Sequence, residues 1–301
     1  MAFWQGKRVL ITGISGFAGS YLAKELLKEG AEVWGLFRFR ADRRVPKNLL
    51  DRGIHDAVRL VEADLLDLYS VLSALDQAKP EVIFHLAAQS FVHRSFYNAL
   101  ETFQINTMGT ANLLEAVRLK APEAKLVFAG SSEEYGMVYI DEGQFKKKPL
   151  FPPPTRLPEI PIRETNPLRP LSPYAVSKVH GDHMMRQYFV SYGLRTVVSR
   201  AFNHEGAGRG GNFVTSVVTR QVAEMIKGKP KKMVIGNVAA FRDWSHVLDT
   251  VRGYMILAEK GESGQVYNQG SERTNSVLTY ILWALEVAEM KPRALRRLSD
   301  G

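Results

Sequence analysis

The chain contains no cysteine, which excludes several classes of function at the outset. Disulfide bonds, thiol nucleophiles and cysteine-ligated metal centres all require that residue. Long apolar stretches are missing as well: the longest lies near residues 277–284, is interrupted by Thr279 and Tyr280, and is too short to cross a bilayer. The N-terminus, residues 1–6, lacks the charged and then apolar order of a secretory signal. We therefore expect a cytoplasmic protein with no membrane partner.

Basic residues are numerous but are not clustered as in a nucleic-acid-binding protein. Lys and Arg number 40 against 31 Asp and Glu, a formal charge of +9, yet they are spread along all 301 residues. Zinc-finger spacing and aromatic–basic strand motifs are both missing. Most of the excess charge is interpreted as solvated surface, and no nucleic-acid partner is expected. A chain of this length forms one large domain or two interlocked ones.

Three glycines near the N-terminus predict a dinucleotide site. Residues 8–11 have the pattern of a short buried strand, and Gly13, Gly16 and Gly19 follow before a helical pattern of apolar residues begins. Between a strand and a helix, such glycines let the backbone approach a pyrophosphate, which the free N–H groups of the helix terminus can bind. We predict that these glycines and Phe17 contact the cofactor.

The next predicted strand, residues 31–37, is followed by Arg38, which favours NADP over NAD. An acidic residue at this position binds the ribose 2′-hydroxyl of NAD, whereas an arginine suits the 2′-phosphate of NADP. A basic surface loop is the alternative interpretation, because three more arginines and one aspartate follow: Arg40, Arg43, Arg44 and Asp42.

Strand and helix patterns alternate beyond this point, which predicts a parallel sheet with helices on both faces. A strand near residues 58–61 leads to Asp64 and Leu65, and a strand over 81–88 carries small residues such as Ala87 where a ligand must pass close to the backbone. We expect Asp64, Leu65 and Ala87 to contact the cofactor.

Residues 137–170 have a different character. They contain eight prolines, which are incompatible with regular helix or interior strand. We expect a loop that crosses the molecule near the substrate, with the lysines at 146–148 exposed and without a chemical role.

Tyr174 and Lys178 are four residues apart in a predicted helix, so their side chains share one face. A tyrosine loses its proton near pH ~10, and a nearby ammonium group favours the phenolate. We expect Lys178 to lower the pKa of Tyr174, so that the phenol exchanges a proton with a substrate hydroxyl near neutral pH. The same spacing occurs on many solvated helix faces, and it gains meaning here from the predicted dinucleotide site.

Taken together, these motifs resemble the extended short-chain dehydrogenase/reductase family, whose members modify sugars attached to nucleotides. The resemblance extends from residue 7 to about residue 279 and includes the runs HLAAQS at 85–90 and SSE at 131–133. It implies an α/β fold with a Rossmann-type doubly wound parallel sheet and a smaller, sequence-interleaved C-terminal substrate domain. The expected NADP-binding domain covers 1–200 and about 239–262, and the expected substrate domain covers about 201–238 and 263–301.

The resemblance also implies a homodimer or homotetramer. Members usually continue beyond the position of Gly301, so we expect the substrate domain to be short at its C-terminus.

Three further runs, NHE at 203–205, RGGNFVT at 209–215 and RDW at 242–244, resemble the members that dehydrate the sugar of GDP-mannose. That reaction oxidises C4 with NADP, eliminates water across C5 and C6, and returns the hydride to C6. By resemblance, the substrate is a GDP-hexose. Arginine forks suit a diphosphate, and the expected substrate-binding residues are Asn203, Arg209, Asn212 and Arg242.

The resemblance assigns four catalytic roles. Tyr174 takes the O4 proton, and Lys178 lowers the pKa of Tyr174 and holds the nicotinamide ribose. Ser131 hydrogen-bonds O4, and Glu133 removes the C5 proton. Glu134 is expected at the surface, because adjacent side chains on an extended segment point to opposite faces. No metal is expected, since the reaction needs none and the histidines lack a carboxylate shell.

Three other functions stay open at this point. One is a reductase of the 4-keto-6-deoxy sugar that consumes NADPH and needs no elimination base. Another is a nucleotide-sugar 4-epimerase, which the neighbourhood of Asn203 disfavours. The last is a non-catalytic dinucleotide sensor, which would have no use for a proton relay.

Overall fold

A seven-stranded sheet forms the centre of the molecule. The structure is a computed structural model and describes residues 3–38, 45–229 and 232–290. In chain order, the strands of the described residues are β1 (Arg8–Thr12), β2 (Glu32–Phe37), β3 (Arg59–Glu62), β4 (Val82–His85), β5 (Lys125–Ala129), β6 (Thr196–Ala201), β7 (Asn203–Glu205), β8 (Phe241–His246), β9 (Val266–Gln269) and β10 (Thr274–Ser276). The central sheet has the order β3-β2-β1-β4-β5-β6-β9, and its neighbouring strands are all parallel.

Helices cover both faces of this sheet. They are α1 (Phe17–Lys28), α2 (Lys47–Asp51), α3 (Leu68–Ala78), α4 (Val92–Tyr97), α5 (Ala99–Phe103), α6 (Gly109–Lys120), α7 (Glu142–Lys147), α8 (Pro173–Tyr192), α9 (Val214–Ile226), α10 (Val247–Lys260) and α11 (Val277–Val287). One apolar core includes residues of α1 and α10, and a second includes residues of α3, α6 and α8. Parallel strands buried on both faces carry nearly continuous apolar residues, as β1 and β4 do here. The predicted doubly wound sheet is confirmed.

A second, three-stranded sheet has the order β10-β8-β7 and lies beyond the carboxyl end of β6 in the chain. Helices α9 and α11 contribute Val218, Val222, Val277 and Ile281 to a separate apolar cluster. The domain bounds drawn from the sequence stay a prediction. Strand β9 falls in the segment 263–301, which was assigned to the substrate domain, but it pairs with β6 of the large sheet. None of the helices in the described ranges is long and apolar enough to span a membrane.

The proline-rich segment differs from its prediction in one respect. Helix α7 forms in the part that precedes the first proline, and its last turn contains two of the exposed lysines. The remainder is irregular and is fixed by a buried ion pair. Arg169 donates to both carboxylate oxygens of Glu159 at 2.9 Å, and both side chains are 1% exposed. The segment is therefore anchored to the interior of the protein.

Candidate active site

A cleft of about 690 Å³ lies at the carboxyl ends of the central strands. The strand order reverses there, because β2 and β3 extend the sheet to one side of β1 while β4, β5 and β6 extend it to the other. Open α/β sheets bind ligands in the crevice at such a reversal point. The cleft is thus in the position where the fold favours a dinucleotide.

The glycine loop between β1 and α1 forms one wall of the cleft. Gly13 has a φ of +74°, and a Cβ atom on it would lie 2.9 Å from the backbone of Ala87. A Cβ atom on Gly19 would collide with the carbonyl oxygen of Gly13. Helix α1 begins without a side-chain cap, so the free N–H groups of its first turn can bind an anion. This cradle of bare backbone fits the diphosphate of a nicotinamide dinucleotide.

Every residue that the sequence analysis proposed for the cofactor lines this cleft: Gly13, Gly16, Phe17, Gly19, Arg38, Asp64, Leu65, Ala87 and Lys178. Arg38 is exposed at the end of β2. Asp64 accepts a hydrogen bond from the backbone of Leu66 at 3.0 Å. The arginines at 40, 43 and 44, with Asp42, lie outside the described residues. Cofactor contacts by the nine lining residues stay a prediction.

Helix α8 holds the tyrosine–lysine pair. Ser172 caps the helix by accepting a hydrogen bond from the backbone of Ala175 at 3.0 Å, and Pro173 occupies its first turn. Tyr174 and Lys178 are both buried and both line the cleft. The ammonium group of Lys178 donates to the carbonyl oxygen of Ala129 at 2.6 Å and lies 5.9 Å from the centre of the Tyr174 ring.

The expected lowering of the Tyr174 pKa is wrong for this structure. Burial raises the pKa of Tyr174 to about 12, because the phenolate would lose its hydration. Burial also lowers the pKa of Lys178 to about 8, again by disfavouring the charged form. The hydrogen bond of the lysine goes to a backbone carbonyl, and desolvation decides both shifts.

Ser131 and Glu133 lie on a tight turn directly after β5. Residues Ser132–Glu134 form one turn of 3₁₀ helix, and the hydroxyl of Ser131 accepts a hydrogen bond from the backbone of Glu133 at 3.2 Å. Both side chains act on Tyr174: a hydrogen bond with Ser131 lowers the tyrosine pKa, and the charge of Glu133 raises it. The turn packs against helix α8, which carries Tyr174 and Lys178. Tyr174 and Lys178 line the cleft, whereas Ser131 and Glu133 are not among its lining residues, so the catalytic roles of these four residues stay a prediction.

Glu134 is not at the surface, contrary to the sequence-based expectation. It is fully buried, because the segment is a 3₁₀ turn and not an extended strand, so the rule of alternating faces does not apply. Arg200 on β6 and Asp182 on α8 are its charged neighbours. The sequence alone did not predict that Glu134, Asp182 and Arg200 lie together, because they belong to three separate elements.

The proposed substrate residues do not all meet at the cleft. Arg209 lines it, lies 3.2 Å from the carboxylate of Glu205, and packs 3.9 Å from the centre of the Phe213 ring. Asn203 and Arg242 lie on the paired strands β7 and β8 of the small sheet. Arg242 and Asn212 are exposed. The structure joins Arg209 to the site and leaves Asn203, Arg242 and Asn212 outside the cleft lining.

Sequence reasoning missed three residues around the cleft. Tyr254 on α10 and His204 on β7 both line it, and His204 stacks on Phe17 with a ring separation of 6.2 Å. Asn106 lies in a π-helical turn, Gln104–Met108, and its amide group bridges Gln89 and Ser177. A π turn inside a helix often marks a functional site, but no sequence pattern signals it. Groups of three or more potential metal ligands are missing from the described part of the chain.

Residues 9–270 match the model of the NAD dependent epimerase/dehydratase family. A GDP-mannose 4,6-dehydratase of Vibrio cholerae is 35% identical over 285 residues, which cover 92% of this chain and 71% of that protein. A GDP-mannose 4,6-dehydratase of Yersinia enterocolitica is 35% identical over 85% of this chain, and the match spans 65% of that relative. The chain thus spans about two thirds of the length of these relatives.

Solved structures show the same fold. RMD of Pseudomonas aeruginosa complexed with NADPH has a TM-score of 0.75 and 28% identity, and the match covers 95% of this chain and 85% of that one. The UDP-glucose 4-epimerase of Thermus thermophilus complexed with NAD has a TM-score of 0.75 and 30% identity, with coverage of 95% and 84%. Both are complexes with a nicotinamide dinucleotide.

Proposed function

Because this chain belongs to the NAD dependent epimerase/dehydratase family, we propose that it is an NADP-dependent 4,6-dehydratase of a nucleotide sugar, acting on GDP-mannose. Relatives with that name at 35% identity support the GDP-linked hexose. The observation that carries the proposal is the position of two acid/base groups: the turn Ser132–Glu134, which includes Glu133, packs against helix α8, which carries Tyr174 at the cleft.

The cleft supports a nicotinamide dinucleotide, held by the glycine cradle at Gly13 and Gly19 and by Lys178. When bound, a nicotinamide dinucleotide would supply the hydride chemistry of the reaction, which moves a hydride from C4 to C6 of the sugar. Arg38 at the end of β2 supports NADP, because a guanidinium can form charge-assisted hydrogen bonds with a 2′-phosphate.

The chain's own residues perform the proton transfers. Tyr174 takes the O4 proton while Ser131 hydrogen-bonds that oxygen and orients the sugar. Lys178, whose ammonium group lies 5.9 Å from the centre of the Tyr174 ring, would hold the nicotinamide ribose beside it. Glu133 then removes the C5 proton, which the new C4 carbonyl has made acidic, and the carboxylic acid so formed passes a proton to the C6 hydroxyl group, which leaves as water. When the hydride returns to C6, a proton is returned to C5. One side chain cannot serve both positions of the ring, so two acid/base groups are needed.

Glu133→Gln isolates the second of these steps. A positioned general base contributes ~10²–10⁴ in rate, so the variant should lose product formation by at least ~10²-fold and keep its affinity for NADP. It should still oxidise C4, which is seen as absorbance at 340 nm without a dehydrated sugar. Tyr174→Phe is the matched control, because it should lose both the absorbance and the product.

Two other functions have an observation in their favour. The NADPH-bound neighbour is compatible with a 4-keto reductase, and the 30% identical neighbour is a UDP-glucose 4-epimerase. Incubation with GDP-mannose and a trace of NADP separates them. A product lighter by one water without net NADPH supports the dehydratase, whereas NADPH consumption only with the keto sugar supports the reductase. An isomer of unchanged mass indicates an epimerase, and binding without turnover indicates a sensor. The oligomeric state, a homodimer or homotetramer, stays a prediction that analytical ultracentrifugation can test.

A further inference from the structure

Glu134 closes the turn that carries Ser131 and Glu133. Its Oε1 atom accepts a hydrogen bond from the backbone N–H of Ser131 at 2.7 Å, while the Ser131 hydroxyl accepts from the backbone N–H of Glu133. This reciprocal arrangement is a capping box. The orientation of the Ser131 hydroxyl and the start of the turn therefore depend on the carboxyl group of Glu134.

The other oxygen of Glu134 faces a buried ionic cluster. Its Oε2 atom is buried, has no hydrogen-bond partner among the described residues, and lies 3.3 Å from Nε of Arg200. That guanidinium already donates to Asp182 through Nε at 2.9 Å, and its Nη2 lies 2.8 Å from the same carboxylate. One buried cation thus lies between two fully buried carboxyl groups.

The surroundings favour the neutral acid form of Glu134. Burial, and then the charge of Asp182, raise its pKa to about 8 against the opposing effect of Arg200. A protonated carboxyl group can donate to Asp182 while its other oxygen accepts from Ser131. In that state it links helix α8 to the turn after β5 and leaves no buried negative charge uncompensated.

We propose that Glu134 is a positioning residue: its carboxyl group bridges the amide of Ser131 to the Asp182–Arg200 pair, so that the turn presents Ser131 and Glu133 to Tyr174. The inference deepens the proposed function and rests on it for the identity of the reaction. The geometry of the bridge is independent of which sugar is bound.

Two substitutions separate positioning from simple packing. Glu134→Gln keeps an acceptor for Ser131 and an N–H donor for Asp182, so it should retain kcat within ~3-fold. Glu134→Leu fills a similar volume without either bond. A misplacement of about 1 Å can cost ~10² in rate, so kcat should fall ~10²-fold for the leucine variant. The KM for the sugar and the Kd for NADP should change much less, because Glu134 is fully buried and is not among the residues that line the cleft.

Hydrogen exchange tests the bridge without any substrate. In the wild type and in Glu134→Gln, the amide of Ser131 should be protected. In Glu134→Leu, exchange in the peptide over 130–136 should rise by ~10-fold or more while α1 and β1 stay protected. Glu25→Gln is the matched control, since Glu25 is another buried carboxylate, paired with Lys28 and Arg252 on α1 and α10. It should leave exchange in that peptide unchanged.

Equal exchange in Glu134→Leu and the wild type, or equal losses of kcat in the glutamine and leucine variants, would overturn the proposal. If the leucine variant does not fold, Glu134→Asp takes its place. It keeps the carboxyl group but is one methylene shorter, so protection at Ser131 should be lost. If wild-type protein fails to convert GDP-mannose, the proposed function fails, whereas the exchange data still decide the role of Glu134.

Discussion

Lowering the pH should destabilise this protein through His85, a buried histidine at the end of β4. The ring lies between two hydroxyl groups, with Nδ1 2.7 Å from Thr12 Oγ1 and Nε2 2.9 Å from Thr110 Oγ1. Thr110 donates to the carbonyl of Asn106, and Thr12 accepts from the backbone of Ala87. These partners assign the neutral ring, with the proton on Nε2.

The sign and size of the effect follow from the pKa of His85. Burial lowers it from 6.5 to about 3, so the unfolded chain binds more protons than the folded one between these values. The stability is therefore fully present above pH 6.5 and decreases as the pH falls towards 3. At pH 5 the linkage relation gives a loss of ~2 kcal/mol from this single group.

Chemical denaturation at pH 7 and pH 5 measures this loss. Since other groups titrate in both proteins, the comparison is between the wild type and His85→Gln, which has no titrating ring. The wild type should lose ~2 kcal/mol more than the variant over this interval. Equal losses in the two proteins would refute the assignment of a neutral, buried His85.

Two further substitutions test the site and the loop. Arg38→Ala should raise the Kd of NADP, measured by calorimetry, by ~10–100-fold, as expected for lost charged hydrogen bonds, and should leave the Kd of NAD unchanged. Arg94→Ala is the control, because Arg94 lies in the same cleft but is paired with Glu101. An unaltered ratio of the two Kd values in Arg38→Ala would contradict the assignment of Arg38 to the 2′-phosphate. Arg169→Met should lower the free energy of unfolding by ~3–5 kcal/mol, because it leaves the Glu159 charge buried without its partner. Adding Glu159→Gln to this variant should restore the free energy of unfolding. A decrease below ~1 kcal/mol in Arg169→Met would contradict a structural role for the ion pair.

The cofactor side of the site could be predicted because its signals are local in sequence. Gly13, Gly16 and Gly19 share one strand–turn–helix unit, and Arg38 follows the next strand directly. The parallel sheet then brings these strand ends to one edge. Sequence spacing alone is therefore sufficient to predict cofactor-site residues where the fold fixes the positions of the strand ends.

The interior behind the site could not be predicted in the same way. Glu134 looked like an exposed carboxylate because its partners, Asp182 and Arg200, are 48 and 66 residues away in the chain. The Tyr174 pKa likewise depends on how completely the folded chain excludes water from the phenol. Both errors concern burial, which depends on tertiary packing and not on local spacing.

The substrate side was predicted only in part. Arg209 lines the cleft, because the loop before it is held to α1 and to the end of α2: Tyr21 on α1 and Arg52 after α2 both donate to the carbonyl of Ala207 at 3.0 Å. Asn212, three residues further on, is exposed. These two residues differ in exposure although they are close in sequence, because the loop over 206–213 has no regular secondary structure from which their orientation could be predicted.

Isotope tracing tests whether oxidation at C4 and elimination across C5 and C6 follow each other on one sugar, as proposed for Tyr174 and Glu133. The wild type is incubated with GDP-mannose deuterated at C4 and a trace of unlabelled NADP, and the product is analysed by NMR and mass spectrometry. The product should be a 4-keto-6-deoxy sugar that carries the deuterium at C6. A dehydrated product without that deuterium, or deuterium that remains at C4 of an unchanged or epimerised sugar, would contradict it.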